Sequence, residues 1–355
     1  MIKGHGNDIY KYKKKIIADF SSNVVSGGIS YGLEKHLIQN INTISNYPEP
    51  DAGSLQKIIA QYHKTELNKV LVTNGSTEAF YLIAQVFHAK KSVISIPSFA
   101  EYEDACKSHS HKIEFLSNQM IKPDTKFNAD TVWIGNPNNP DGKIIPLDTI
   151  EKLCKTKPEI YFIIDEAYAE LNINHQSCIS IINKFHNIIV VRSLTKCFAV
   201  PGIRLGYLIT NEYLQEKLMN IKVPWSVNSL SIETGKYIMQ NYNKLLPNVN
   251  ELILQSKNFQ KELNKLNDLE IFETDCNYFL IKLSKGNSTD LKNFLINKYG
   301  ILIRDASNFR GLNNSYFRIA VQSNSLNKKL IEGIKKCLQQ TNFNLLLGRY
   351  EKTIS

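Results

Sequence analysis

From about Leu55 to Ile209 the chain alternates stretches of helical periodicity with short apolar, β-branched runs: VLVT at Val70, SVISI at Ser92, TVWIG at Thr131, YFIID at Tyr161, NIIVV at Asn187 and LGYLIT at Leu205. Short runs without polar alternation predict strands buried on both faces, and the helices between them predict a mostly parallel sheet in an α/β domain. After about Lys236 the pattern changes. A long helical stretch through NYNKLLPNVNELILQSKNFQKELNKL leads to strands around YFLIKLS and YFRIAVQ and a last helix near SLNKKLIEGIKKCLQ, which predicts a smaller α+β domain. The stretch TNFNLLLGRYEKTIS at the C-terminus carries no assignable pattern.

In open parallel sheets ligands bind beyond the carboxyl ends of the strands, so the residues after each apolar run are where chemistry is expected. VLVT runs into Asn74-Gly75-Ser76-Thr77-Glu78, either an anion site made of free N–H groups or an ordinary helix start. SVISI runs into Pro97-Ser98-Phe99-Ala100-Glu101-Tyr102. TVWIG runs into Asn136-Pro137-Asn138-Asn139-Pro140-Asp141-Gly142, a turn by composition. YFIID ends on Asp165, which alone says little, and NIIVV runs into Arg192-Ser193-Leu194-Thr195-Lys196. Lys196 stands between two apolar runs, where a stem lying along the core edge is the ordinary explanation.

Taken together, the strand ends offer a phosphate cradle, an aromatic, an amide, an acid and a lysine, which is the set that pyridoxal phosphate requires. Its aldehyde needs an amine, and desolvation keeps a lysine reactive. Its pyridine nitrogen needs a buried carboxylate, for which Asp165 is placed. Its phosphate needs N–H groups, hydroxyls and a cation, available from Gly75, Ser76, Ser193, Thr195 and Arg204.

Composition narrows this picture slightly. The 355 residues are enough for a two-domain enzyme, and the formal charge of +10 comes from Lys and Arg interspersed with acids, the one dense basic run being Lys11-Tyr12-Lys13-Lys14-Lys15. Without a basic stripe on a recognisable module, nucleic acid is not an expected partner. The six cysteines are widely spaced, with no CxxC and no metal-ligand spacing, so free thiols and no bound metal are expected. The N-terminus lacks an apolar signal segment, and no stretch approaches the roughly 20 apolar residues of a membrane span, so the expected location is cytoplasmic and away from membranes.

Ser193-Leu194-Thr195-Lys196, with Arg204 eight residues after the lysine, resembles the lysine signature of fold-type I pyridoxal-phosphate enzymes of the class I/II aminotransferase superfamily. NYPEPD, NPNNPDG and IIDEAY resemble further motifs of that family, near the histidinol-phosphate aminotransferases. The resemblance implies a large domain with a mostly parallel seven-stranded sheet and a smaller α+β C-terminal domain. Its expected boundaries are an N-terminal arm over 1–46, packing with the small domain and a partner subunit, a cofactor domain over 47–235 and a small domain over 236–355. It implies Lys196 as the Schiff-base lysine, Asp165 as the partner of the pyridine nitrogen, and Asn139 and Tyr168 as partners of the 3-oxygen. Tyr102 would stack on the ring, with Phe99 as the alternative, and Gly75, Ser76, Thr77, Ser193, Thr195 and Arg204 would hold the phosphate. Tyr47 would reach the phosphate of a neighbouring subunit, which implies a homodimer with shared sites.

GHGNDIY, ADFSSNV, PSFAEYE, RSLTKCFAVPGIRLGYL, VPWSVNSLS and ILIRDASNFRGLNNSYFRIAV are similar, within the superfamily, to L-threonine-O-3-phosphate decarboxylases of cobalamin biosynthesis. Asn7 stands where the second glycine of their N-terminal motif is usual. This likeness implies that Arg318 grips a substrate carboxylate and that His5, Asn23 and Arg304 lie near a phosphorylated end. Read without it, His5 is an exposed residue near a terminus, Arg304 pairs with Asp305 at the surface, and Tyr47 packs in a turn. The implied reaction is decarboxylation of L-threonine O-3-phosphate to (R)-1-aminopropan-2-yl phosphate. The alternative is transamination of histidinol phosphate or a related amino acid, which Tyr168 favours. A non-catalytic regulator would need an added DNA-binding domain, for which no room is expected before Gly4.

Overall fold

The computed structural model describes residues 6–339, so His5 and the C-terminal stretch lie outside the described residues. The strands in chain order are β1 (Ala18–Asp19), β2 (Val70–Thr73), β3 (Lys91–Ile96), β4 (Lys112–Ser117), β5 (Thr131–Gly135), β6 (Tyr161–Asp165), β7 (Ile188–Ser193), β8 (Gly206–Ile209), β9 (Leu269–Phe272), β10 (Tyr278–Leu283), β11 (Ile301–Leu302), β12 (Arg304–Asp305) and β13 (Tyr316–Ala320). The helices are α1 (Tyr31–Gln39), α2 (Gly53–His63), α3 (Gly75–Val86), α4 (Ala100–Ser108), α5 (Leu147–Thr156), α6 (Glu212–Ile221), α7 (Ser229–Gln240), α8 (Tyr242–Leu245), α9 (Val249–Leu263), α10 (Ser288–Tyr299) and α11 (Asn324–Gln339). They form two compact units. One gathers the described residues of Met1–Ser26, Pro140–Gly142 and Asn250–Ser355, and the other comprises Gly27–Asn139 and Lys143–Val249.

The larger unit is built on a seven-stranded sheet in the order β2-β8-β7-β6-β5-β3-β4. All six apolar runs of the sequence appear in it as strands, and six of its seven members run in the same sense, because β8 alone pairs antiparallel, to both β7 and β2. The seventh strand, β4, has no counterpart among the predicted runs. It lies at the sheet edge, paired only with β3, and much of it is exposed, so its residues KIEFLS never needed to be uniformly apolar. One sheet face is sealed by α3, α4 and α6 through Phe80, Tyr102, Trp133, Leu208, Leu214 and Leu218. The register aligns Gly135 with Asp165 and Asp165 with Val191, so β5 and β6 end level and β7 runs two residues further, to Ser193.

The smaller unit carries an antiparallel sheet in the order β12-β13-β10-β9, packed on α9, α10 and α11 through Phe259, Phe279, Leu295, Phe317, Leu330 and Ile334. The N-terminal segment joins this core, since β1 pairs parallel with β11 and Phe20 is buried among its residues.

The boundaries differ from those expected at 46/47 and 235/236. α7 crosses 235 without a break, because Gly235 is packed so closely on Leu55 and Leu205 that a Cβ would lie 2.4 Å from a Leu55 methyl. α1 belongs with it, its Gly32 facing the Tyr237 hydroxyl and its His36 within 3.4 Å of Glu233. Hence the arm that joins the smaller unit ends near Ser26. No helix among the described residues is long and apolar enough to cross a membrane.

Candidate active site

β7 and β8 are adjacent and antiparallel, so the segment between them turns the chain back at the carboxyl end of the sheet. That segment holds Lys196 and Arg204. Val200 N–H donates to the Thr195 carbonyl at 3.2 Å and Leu194 N–H to the Leu205 carbonyl at 3.2 Å, closing a turn that leaves Lys196 half-buried between buried Thr195 and Cys197. Ser193 and Thr195 face each other, hydroxyl to hydroxyl, at 2.9 Å. Arg204 adopts a left-handed conformation with φ of 57°, which turns the chain into β8.

Asp165 ends β6, in register with Gly135 of β5 on one side and Val191 of β7 on the other. Its carboxylate accepts the Tyr102 hydroxyl at 2.5 Å and the Ala167 N–H at 3.0 Å. Burial pushes its pKa up to about 6, against the Tyr102 and Ala167 hydrogen bonds and the nearby Lys196 charge, which pull it down. A buried carboxylate held by these donors and still raised is a site that gains from a further cation or N⁺–H donor.

Tyr102 corrects one expectation. It is 2% exposed, with its ring edge-on to Phe80 at 5.0 Å and to Phe99 at 5.9 Å, and its hydroxyl engaged by Asp165. A side chain with no open face cannot stack on a ligand, so Tyr102 orients Asp165 and burial pushes its own hydroxyl pKa well up. Phe99, the residue before α4, is half-buried, with its ring 6.4 Å from that of Phe80.

Across β8 lies the start of α3. Gly75 has φ of 77°, and a Cβ there would come 2.6 Å from the Arg204 guanidinium. Asn74 gives the helix no side-chain cap, while Ser76 and Thr77 in the first turn are half-buried. Uncapped N–H groups, hydroxyls and a guanidinium beside a glycine are the chemistry a phosphate needs. Gly206 keeps this cradle closed, since a Cβ there would lie 2.7 Å from the Ser76 nitrogen, 2.8 Å from the Arg192 carbonyl oxygen and 2.9 Å from the Gly75 carbonyl carbon. With backbone on every side, Gly206→Ala is expected to destabilise the protein by about 1–3 kcal/mol. Thermal unfolding should show the loss, with Gly202→Ala, where a Cβ meets nothing within 4 Å, unchanged.

Asn139 and Tyr168 are both buried near these strand ends. The loop carrying Asn139 is more than a turn by composition: Asn136 N–H donates to the Asp165 carbonyl at 2.8 Å, Asn136 exchanges two hydrogen bonds with Ile145, and the Asn138 amide donates to the Pro97 carbonyl at 2.9 Å. Tyr47 is not brought to this site within the chain. It is 89% exposed, with its ring 5.9 Å from that of Trp225.

The smaller unit assembles the other candidates. Arg304 and Arg318 are direct partners across β12 and β13, and both are buried. The surface ion pair of Arg304 with Asp305 does not form in the expected way, because the Asp305 carboxylate accepts from Ser288 and Thr289, each at 2.7 Å, while Arg304 donates to Asn308 at 2.7 Å and to the Asp305 carbonyl. Burial, together with the Arg318 charge, pulls the Arg304 pKa down to about 9. Arg318 donates to the Ser21 carbonyl at 2.5 Å. Asn23 is 3% exposed, and neither polar atom of its side chain has a hydrogen-bond partner. Asn7 has φ of 59°, a left-handed conformation that suits Gly or Asn, which accounts for asparagine at a position where glycine is usual. Its N–H donates to the Ser21 hydroxyl at 2.7 Å and its amide to Asp19 at 3.0 Å.

The chain matches the family model for aminotransferase class I and II over residues 15–334. The solved structure of L-threonine-O-3-phosphate decarboxylase from Porphyromonas gingivalis superposes with a TM-score of 0.89 at 36% identity, over 91% of this chain and 100% of that one. The threonine-phosphate decarboxylase of Salmonella typhimurium is 28% identical over 91% of each chain. The histidinol-phosphate aminotransferase of Thermoanaerobacter pseudethanolicus is 31% identical over 87% of this chain and 90% of its own length. With its mixed seven-stranded sheet, the Lys196 turn and a match spanning nearly its full length, the chain belongs to the class I and II aminotransferase family.

Proposed function

We propose that the protein is a pyridoxal-phosphate-dependent decarboxylase that converts L-threonine O-3-phosphate to (R)-1-aminopropan-2-yl phosphate. The observation that carries this choice is the pair Arg304 and Arg318. Two guanidinium groups buried side by side repel each other, and a substrate bearing both a carboxylate and a phosphate relieves that repulsion at both. Threonine phosphate carries both anions. The similarity to threonine-phosphate decarboxylases supports the same reading.

The residues of the larger unit fit the cofactor: a lysine at a strand end, a buried carboxylate with room for one more donor, and a glycine cradle beside a guanidinium. Bound there, pyridoxal phosphate supplies an electron sink for the pair left at Cα. Lys196 provides the amine for its aldehyde. Asp165 keeps the pyridine nitrogen protonated, with Tyr102 holding the carboxylate in place. Phe99 would lie against the ring, and Asn139 and Tyr168 would hydrogen-bond to its 3-oxygen. Ser76, Thr77, Ser193, Thr195 and Arg204 hold the phosphate. Arg318 grips the substrate carboxylate, and Arg304, with Asn23 and His5, takes the phosphorylated end. The carboxylate would leave Cα as carbon dioxide without the electron pair, and Lys196, as its ammonium, would deliver the proton that Cα takes up.

The protein acts as a homodimer in which Tyr47 of the partner subunit reaches the cofactor phosphate. Support comes from the exposed Tyr31, Ile38, Ile41, Ile44, Tyr47 and Trp225 of the larger unit, an apolar set that association would cover. A reducing cytoplasm suits its six buried thiols.

Incubation with L-threonine O-3-phosphate should release carbon dioxide and aminopropanol phosphate in equal amounts without a keto acid. Transamination of histidinol phosphate is the second reading, favoured by the 31% identity to such an aminotransferase. Turnover that requires 2-oxoglutarate and releases no carbon dioxide would establish it instead. Arg304→Met is expected to raise KM for threonine phosphate by about 10- to 100-fold, the loss of one charge-assisted contact. Phosphate-free L-threonine, measured by the same assay, should show no such penalty.

A further inference from the structure

Asp165 and Glu166 are consecutive, as are Arg192 and Ser193, so within each pair the side chains leave opposite faces of the sheet. Asp165 is in register with Val191, and the ladder continues with the Glu166 N–H donating to the Val191 carbonyl at 2.8 Å. Asp165 and Ser193 therefore share one face, and Glu166 and Arg192 share the other. On that second face Arg192 is the centre of a buried network. One guanidinium nitrogen donates to Glu166 at 2.8 Å and to the Ser177 hydroxyl at 3.3 Å. The other donates to Glu170 and to the Tyr242 hydroxyl, which itself donates to Glu170. Glu166 also accepts from the Ser177 hydroxyl and the Cys178 N–H, both at 2.6 Å. Burial would push the Glu166 pKa up, but the His175 hydrogen bond and the Arg192 charge outweigh it and hold it at about 2.

A buried ion pair gives little net stability, because desolvation offsets the attraction. What this one does is geometric. One planar fork reaches the residue after Asp165, the short helical turn Ala169–Leu171 that follows Tyr168, and α8, from a position in β7 just ahead of the Lys196 turn. We propose that Arg192, forked between Glu166 and Glu170, is a positioning residue that fixes Asp165, Tyr168 and Lys196 in the one mutual arrangement that the cofactor accepts. This rests on the reading above that pyridoxal phosphate is bound at Lys196.

Arg192→Lys keeps the charge but cannot fork, and Glu170→Gln removes one arm while leaving the Arg192–Glu166 pair. In the holoenzyme both variants are expected to lower kcat about 10- to 100-fold with KM for threonine phosphate within about twofold of wild type. Both should weaken pyridoxal-phosphate binding about tenfold and displace the pH midpoint of its visible absorption. Leu263→Val, in the core of the smaller unit, should cost stability and move neither cofactor readout. Where Arg192→Lys does not fold, Glu170→Gln decides. A folded variant with wild-type cofactor affinity and absorption midpoint overturns the positioning role. Wild-type protein that gives no visible absorption with pyridoxal phosphate overturns both this role and the cofactor reading beneath it.

Discussion

Lys196→Ala is expected to lower turnover of L-threonine O-3-phosphate on the order of 10⁴-fold, the upper end of what a positioned proton-transfer group contributes, while leaving the fold intact. The expectation follows from where the lysine stands. It lies on the turn between two antiparallel strands, half-buried, so removing its side chain opens no cavity in the core. Two roles disappear with it, the amine for the cofactor aldehyde and the acid that delivers a proton to Cα. Borohydride reduction of the wild-type holoenzyme should label the peptide containing Lys196, and the same treatment of the variant should label nothing. Label retained elsewhere in the variant would move the cofactor's attachment point. Unfolding of the variant should remain within about 0.5 kcal/mol of the cofactor-free wild type, as for substitutions away from the core.

The parts of this site that were legible in the sequence are those set by burial and by short motifs. Six strands showed as apolar runs because both of their faces are covered, and β4 did not because an edge strand can stay half polar. Lys196 and Asp165 say little singly in the sequence and become candidates only when the strand ends are read together. The choice between Phe99 and Tyr102 was not legible. They lie three residues apart on one helix start, and which of them points into the core depends on how α4 docks against Phe80 and Trp133. Arg192 and Glu166 were passed over for a similar reason: each sits beside a residue already given a role, and only strand register shows that the two meet on the far face. The boundary near 236 failed because α7 continues the periodicity of the larger unit past it.

Asp165→Asn is expected to separate stability from activity. A carboxyl whose folded-state pKa stands at about 6, above its ordinary 3.8, binds more protons folded than unfolded between those values. Its contribution is therefore neutral below about pH 4 and grows unfavourable as pH rises through 6, reaching roughly 3 kcal/mol for a shift of this size. Asparagine carries no such charge, and its carbonyl can still accept the Ala167 N–H. Cofactor-free Asp165→Asn should accordingly be more stable than cofactor-free wild type by about 1–3 kcal/mol at pH 8, with the difference gone by about pH 4. Urea unfolding at both pH values checks this, and parallel pH slopes for the two proteins would reject the raised pKa. The same substitution removes the anion that pairs with a protonated pyridine nitrogen. Turnover should fall by about 10²- to 10³-fold, the scale of losing one preorganised electrostatic partner, and cofactor affinity should fall with it. A destabilising group retained at this position is what a site built to receive a cation requires, because a bound cofactor would supply the opposite charge.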